Sequence, residues 1–92
     1  MNKSLTKLIS NINVISHDII QDINVTGISM NSNFLRQGNI FVAINGLNVD
    51  GHDFIDQAIR NGASAIVTND YHSETLPVPK VKVKILVKHY QQ

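Results

Sequence analysis

The densest group of side chains that could do chemistry in this 92-residue sequence is Asp50-Gly51-His52-Asp53. An imidazole between two carboxylates can bind a divalent metal or transfer a proton. The same spacing is typical of a helix start, with Asp50 at the N-cap and Asp53 in the first turn, where carboxylates interact favourably with the helix dipole. We favour the helix start, and we predict neither a catalytic residue nor a metal ligand in this chain.

The other groups with catalytic chemistry are scattered along the sequence. His17, His72 and His89 stand alone in polar stretches, which is typical of solvated surface histidines. The five glycines are followed by Ile, Asn, Leu, His and Ala, so the sequence has no Gly-Lys pair of the kind found in phosphate-cradling P-loops. We therefore predict that this chain does not bind ATP through such a loop.

Two turn-forming segments remain as candidate binding loops. Asn31-Ser32-Asn33 has side chains that favour turns because they bond to nearby backbone groups, and Asn45-Gly46 follows an apolar run. Hydroxyl and backbone N–H groups in such turns can bind phosphate or carbonyl oxygens. For Ser32 the alternative is an ordinary turn hydroxyl without a ligand.

A strand, a helix and a second strand position these loops. The continuous apolar run 40–44 is typical of a strand covered on both faces. The next segment predicts a helix that begins near Asp50, ends at Gly62 as a left-handed C-cap, and buries Phe54, Ile55, Ala58 and Ile59. Residues 63–68 predict the following strand. Residues 39–68 thus have the length of a parallel crossover.

Weaker patterns flank this unit. A first amphipathic helix is indicated by apolar residues on one helical face, with Ser4 or Asn2 at its start: Leu5, Leu8, Ile9 and Ile12. Residues 19–30 predict short strands around a turn. The alternation of Val and Lys in residues 81–85 predicts a final edge strand with solvated lysines. The fold class is therefore α/β, with a small mixed, largely parallel sheet flanked by helices.

The composition predicts one small domain over residues 1–92. With 42% hydrophobic residues and a formal charge of +1, the chain is on the globular side of the boundary with disorder. No apolar run approaches the roughly 20 residues of a membrane span, so we predict a cytoplasmic protein with no membrane partner. Four lysines fall in the last sixteen residues, but no Arg cluster or interleaved aromatic accompanies them, which argues against nucleic-acid binding.

Ordered blocks of the sequence identify a family. Residues 27–33 (GISMNSN), 38–46 (GNIFVAING) and 50–59 (DGHDFIDQAI), followed by Gly62-Ala63, closely resemble the N-terminal domain of Mur ligases. The resemblance is strongest to the MurE type, the UDP-N-acetylmuramoyl-L-alanyl-D-glutamate:2,6-diaminopimelate ligase of peptidoglycan synthesis. It is clear from about residue 25 to residue 67, and residues 69–92 form a divergent tail.

The resemblance implies a binding role. The family consists of three-domain, ATP-dependent ligases whose first domain holds the UDP end of the precursor, here UDP-N-acetylmuramoyl-L-alanyl-D-glutamate. Met30 and Ser32 match positions that contact the UDP moiety, and Leu47-Asn48-Val49 matches the second uridine-diphosphate loop. The central and C-terminal domains, with the ATP and magnesium of the full-length enzymes, have no counterpart here. We therefore expect a chain that is inactive alone unless another chain supplies those domains.

One departure from the family bears on binding. Where the family usually has Asp-Ser-Arg, this chain has Asn31-Ser32-Asn33, so both charges beside the serine are lost, and Arg36 is the nearest cation. Because arginine bonds phosphate in a bidentate, charge-assisted way, we expect weaker affinity for a diphosphate. Three alternatives remain: the N-terminal domain of a MurF-type ligase, a remnant or interaction protein that binds no nucleotide, and nucleic-acid binding by the basic tail.

Overall fold

The structure is a computed structural model that describes residues 3–10, 12–43, 54–69 and 76–84. Its elements follow one another along the chain as β1 (Lys3–Ser4), α1 (Leu5–Ile9), β2 (Val14–His17), β3 (Asn24–Val25), β4 (Gly27–Ser29), β5 (Asn39–Ala43), α2 (Ile55–Arg60), β6 (Ala65–Thr68) and β7 (Lys80–Val83). The helices of these ranges are five and six residues long, far short of the length needed to cross a bilayer.

The main sheet has the strand order β2-β7-β6-β5-β4. Strands β4 to β7 are parallel to one another, and β2 is antiparallel to β7. β5 pairs with β6, and their register matches Ile40 with Ala65 and Ala43 with Thr68. β1 and β3 form a separate antiparallel pair. The structure thus confirms the predicted α/β class with a mixed, largely parallel sheet.

The predicted strand, helix and strand unit is present as β5, α2 and β6, but the helix starts later than predicted. Phe54 occupies its N-cap without a side-chain hydrogen bond, so the prediction that Asp50 caps it is wrong. A capping aspartate must directly precede the first turn, and this chain enters α2 at Ile55. Asp50 and Asp53 lie outside the described residues. The predicted left-handed glycine is confirmed, since Gly62 has a φ of +110°, but the C-cap itself is the preceding Asn61.

The prediction of an edge position for the last strand is wrong. β7 lies inside the sheet because β2 pairs with its outer side, matching Val14 with Val83. The predicted alternation is confirmed for the valines, since Val81 and Val83 are buried. Of the two lysines predicted to be solvated, Lys84 is exposed but Lys82 is half-buried. Sequence reasoning missed β2 because its two apolar residues are adjacent, which is not the period-2 pattern of a strand.

Two hydrophobic clusters cover opposite faces of the sheet. The first contains Leu5 and Ile9 of α1 and alternate residues of the strands, among them Ile40, Ala65 and Val67. The second contains residues of α2, the intervening strand residues and two residues of connecting segments: Leu35, Phe41, Ala43, Ile55, Ala58, Ala63 and Ile66. Since neighbouring strand residues point to opposite faces, the uninterrupted apolar runs of β5 and β6 are what a doubly covered sheet requires.

The start of α1 is held by polar side chains. The Ser4 hydroxyl accepts a hydrogen bond from the Lys7 N–H at 3.3 Å, which confirms one of the two predicted caps. The Asp22 carboxylate accepts bonds from the Ser4 hydroxyl at 2.5 Å and from the Thr6 N–H at 3.0 Å. These bonds lower the pKa of Asp22, the Ser4 bond most strongly. α1 ends at Ile9, so Ile12 lies beyond it, contrary to the prediction, and is 46% exposed.

Polar side chains and glycine backbone groups at the amino ends of the parallel strands form hydrogen bonds with one another. We call this set the amino-end network: Thr26, Gly38, Asn39, Gly62 and Ser64. The Thr26 hydroxyl donates to Oδ1 of Asn39 at 3.0 Å, and the Gly38 N–H donates to the Gly62 carbonyl at 2.8 Å. The Ser64 hydroxyl donates to the Gly38 carbonyl at 2.8 Å. The network joins the segments that lead into β4, β5 and β6.

Candidate functional site

The segment after β4 forms a tight turn, residues 30–34, which we call the β4 turn. Ser29 anchors it, since its hydroxyl donates to the Asn31 carbonyl at 2.9 Å and accepts from the Asn31 N–H at 3.1 Å. Oδ1 of Asn31 accepts from the Asn33 N–H at 2.8 Å, and the Asn31 carbonyl accepts from the Phe34 N–H at 3.2 Å. The side-chain bond is the Asx turn that the sequence predicts for this polar segment.

Two side chains at one side of α2 contact this turn. Nδ2 of Asn61 donates to the Ser32 carbonyl at 2.8 Å, and Nε2 of Gln57 donates to Oδ1 of Asn33 at 2.8 Å. Gln57 lies in α2 and Asn61 is its C-cap, four residues later, so the end of one short helix brings both side chains to the turn. The β4 turn is therefore positioned by β4 at its start and by α2 along its length.

The predicted site residues of the β4 turn differ in exposure. Ser32 is buried at 5% exposure, whereas Met30 is 43% exposed. Phe34, in the same turn, is 78% exposed, and Phe54, predicted on the buried face of its helix, is instead 43% exposed. Within the turn, the exposed parts of Met30 and Phe34 offer an apolar surface for a planar ring.

The second predicted loop, Leu47-Asn48-Val49, lies outside the described residues. What the structure shows is where that loop begins. β5 ends at Ala43 and β4 ends at Ser29, and these strands are parallel neighbours. Both loops therefore leave the sheet at its carboxyl end, the end at which open α/β sheets bind their ligands.

A second surface lies on the other face of the sheet. An apolar groove of about 500 Å³ runs between α1 and the strands. Its walls include Leu8, Ile9, Ile12, Ile28, Val42 and Val67. The sheet residues among them belong to the α1 face, opposite α2. Because this lining is almost entirely aliphatic, the groove is suited to apolar chain and not to a diphosphate.

Metal-binding geometry is absent from the described ranges, in which no three His, Asp or Glu side chains come together. His17 is exposed, and its Nδ1 accepts a hydrogen bond from the Ile19 N–H at 3.1 Å. Its ring therefore makes a local turn contact. His52, His72 and His89 lie outside the described residues.

Comparison with known proteins decides the family. The family model described as "Mur ligase family, catalytic domain" matches residues 24–91. The chain belongs to the Mur ligase family. It is 43% identical over 84 residues to UDP-N-acetylmuramoyl-L-alanyl-D-glutamate–2,6-diaminopimelate ligase 2 of Clostridium acetobutylicum, covering 87% of this chain and 17% of that relative. It is 40% identical over 65 residues to the corresponding ligase of Oceanobacillus iheyensis, covering 71% and 13%.

Solved structures of Mur ligases share the fold. MurF from Acinetobacter baumannii superposes with a TM-score of 0.69 at 19% identity, over 91% of this chain and 18% of that one. MurF from Thermotoga maritima, in complex with ADP, superposes with a TM-score of 0.54 at 38% identity, over 66% and 14%. This Mur ligase chain thus spans less than a fifth of the length of each of these relatives.

Sequence reasoning missed the two side chains that hold the β4 turn of this Mur ligase domain. Gln57 lies within the segment 50–59 that resembles the family, yet that resemblance indicates no role for Gln57 or for Asn61. The available signal was weak: two amide residues four apart, on the polar side of a helix whose other side is apolar. Only the folded structure brings them to residues 32 and 33, which are 24 or more positions away.

Proposed function

We propose that this Mur ligase domain binds the uridine diphosphate end of UDP-N-acetylmuramoyl-L-alanyl-D-glutamate, as part of a MurE-type ligase of peptidoglycan synthesis. The observation that carries the proposal is the 43% identity to a diaminopimelate ligase over 84 residues. The β4 turn supports it, since the motif positions Met30 and Ser32 lie at the carboxyl end of the sheet.

The chemistry of the β4 turn suits such a ligand. Met30 and Phe34 present apolar surface on which a uracil ring can pack. Hydroxyl and amide groups of Ser32 and Asn33 can bond phosphate or uracil oxygens. Because Ser32 has only 5% of its surface exposed, it would be reached by a ligand atom that enters the turn, not by a group lying across it. Leu47, Asn48 and Val49 complete the proposed site from the second loop.

We assign precursor binding, and not ligation, to these 92 residues. The sequence holds no Gly-Lys pair, and the matched relatives are about five times as long as this chain. ATP and magnesium would therefore bind in the parts of the ligases that this chain does not match. Ligase activity requires those parts, from this polypeptide or from another chain.

Calorimetric titration with UDP-N-acetylmuramoyl-L-alanyl-D-glutamate tests the proposal. We expect saturable binding that weakens about fivefold in Ser32→Ala, since one hydrogen bond is lost. Ser16→Ala is the matched control, because Ser16 is an exposed serine of β2, and its affinity should equal that of the wild type. A flat titration of a protein that melts cooperatively would contradict the proposal and favour the alternative of a non-binding remnant.

A MurF-type parent is the second candidate, and the 38% identity to Thermotoga maritima MurF favours it. The uridine end is common to both precursors, so the peptide must discriminate. A MurE-type domain should bind the dipeptide precursor at least as tightly as the precursor that also carries 2,6-diaminopimelate. Clear preference for the longer precursor, measured by the same calorimetry, would assign the chain to the MurF type.

A further inference from the structure

The contact between α2 and the β4 turn fixes the orientation of one side chain. Gln57 points its amide nitrogen at Asn33, and Oδ1 of Asn33 accepts that hydrogen bond at 2.8 Å. In a planar carboxamide the oxygen and the nitrogen diverge from one carbon, so they cannot face the same neighbour. With Oδ1 turned toward α2, Nδ2 of Asn33 is turned away from it. Asn33 is exposed, so this nitrogen is a donor at the surface.

The turn itself is held in place independently of this amide. Asn61 bonds the Ser32 carbonyl, and Asn31 bonds the Asn33 N–H. The backbone that carries Asn33 is therefore fixed on both sides, and Gln57 decides only which end of the side-chain amide faces outward. Position 33 is also where the family usually has arginine, whose side chain is a donor in every orientation.

We propose that Gln57 is a positioning residue that turns Nδ2 of Asn33 outward, where it donates a hydrogen bond to a phosphate oxygen of the nucleotide at the β4 turn. The ligand class is a nucleoside diphosphate. The phosphate contact rests on the proposed function, whereas the orientation of Asn33 does not. At this position the neutral amide of Asn33 takes the place of the charged arginine that the family usually has. The direction of that amide depends on Gln57 of α2.

Two variants of nearly unchanged shape separate orientation from fold. Asn33→Asp keeps an acceptor for Gln57 but replaces the outward donor by a carboxylate oxygen. Gln57→Glu can only accept, so the Asn33 amide must turn over to donate to it, which brings Oδ1 outward. Both variants remove the outward donor while leaving the Asn61 contact to the turn intact.

The experiment is calorimetric titration of the full chain with UDP and with uridine. We expect Asn33→Asp to lower the affinity for UDP at least tenfold and Gln57→Glu to lower it about fivefold, with uridine affinity unchanged in both. In an Asn33→Ala background, Gln57→Glu should have no further effect. Gln21→Glu, at an exposed glutamine between β2 and β3, controls for the added charge and should change UDP affinity less than twofold.

Three outcomes would overturn the proposal. Equal losses for UDP and uridine would show that Asn33 makes no phosphate contact. An undiminished effect of Gln57→Glu in the Asn33→Ala background would show that Gln57 acts by another route. Failure of the wild type to bind UDP would remove the contact together with the proposed function. In that case, nuclear Overhauser effects between the Gln57 side-chain amide protons and Asn33 test the orientation alone, and their absence would overturn that as well.

Discussion

The amino-end network and the β4 turn are both built from small polar residues, yet they use them differently. In the network, the Ser64 hydroxyl and the Gly62 carbonyl find their partners within the same set. In the turn, the backbone is bonded in the same thorough way, but Met30, Asn33 and Phe34 keep exposed side chains. The groups of the network bond mainly to one another, whereas the turn, held by bonds from Ser29, Gln57 and Asn61, leaves part of its side-chain surface exposed.

The difference follows from the direction of the strands. The segments that enter β5 and β6 contain Gly38 and Gly62, whose small size lets the two backbones approach closely enough for the Gly38 N–H to bond the Gly62 carbonyl at 2.8 Å. Loops that leave the strands are where open α/β sheets carry their ligand groups. We therefore expect changes in the network to affect stability and changes in the turn to affect nucleotide binding.

The largest effect should come from Gly62→Ala in the amino-end network. Gly62 has a φ of +110°, and an added Cβ would lie 2.9 Å from Cα of Gln37. The positive φ, which alanine adopts with difficulty, and the close contact of the new Cβ should together lower the free energy of unfolding by about 1–3 kcal/mol, measured by urea denaturation. Gly27→Ala is the control, since its nearest contact would be a side-chain atom, Oδ1 of Asn39, at 3.2 Å. Equal losses at the two glycines would contradict this reason.

The next effect contrasts two serines. Ser64→Ala removes a bond to the half-buried Gly38 carbonyl and should cost about 1 kcal/mol of stability with UDP affinity unchanged. Ser29→Ala, which loosens the start of the β4 turn, should cost less stability because its bonds are exposed, but it should weaken UDP binding. Denaturation and calorimetry on both variants test this, and the reverse pattern would remove the distinction between the two regions.

Asn61→Ala should have a smaller effect on stability, about 0.5–1 kcal/mol, because an exposed side chain loses one hydrogen bond to the Ser32 carbonyl. Nucleotide affinity should fall as the turn loses its second contact with α2. Asn61→Asp tests the reason, since a carboxylate cannot donate to that carbonyl and should restore neither property. Recovery of wild-type affinity in Asn61→Asp would show that the donor is unimportant.

The smallest effect concerns a carboxylate that belongs to neither region. The pKa of Asp22 is lowered in the fold, so its contribution is present above the usual aspartate pKa and is lost as pH falls through the lower folded-state value. Stability should therefore decline slightly more steeply below about pH 4 in the wild type than in Asp22→Asn. Parallel slopes in urea denaturation would contradict this. Asp22→Asn should leave nucleotide binding unchanged at neutral pH.

Much of the sheet could be predicted from the sequence because its signals are local. The apolar runs of β5 and β6, and the glycine after α2, each follow from a few neighbouring residues. β2 could not be predicted, since its pairing with β7 is made across the length of the chain and its own residues do not alternate. The predicted start of α2 near Asp50 is too early: aspartate fits a cap by residue type, whereas the N-cap of the α-helix is Phe54.

The candidate site likewise has features that the sequence predicts and features that it does not. The β4 turn follows from Asn31-Ser32-Asn33, whose side chains bond within the segment. The family resemblance added Met30 and Ser32, whose nucleotide contacts stay predictions. The roles of Gln57 and Asn61 depend on packing between distant segments, and no pattern in the sequence indicates which polar residues of a helix will face a loop. The burial of Ser32 also depends on packing between distant segments and could not be predicted from the sequence.

The antiparallel pairing of β2 with β7 has a consequence for synthesis on the ribosome. Residues 14–17 are translated before β4, β5 and β6, whereas their partners at residues 81–83 are translated after those strands. The first strand of the sheet must therefore wait, unpaired, while β4, β5 and β6 assemble in the order in which they are translated. A pairing of such high sequence separation closes late, so the contact between β2 and β7 should be the last part of the sheet to form and the first to open.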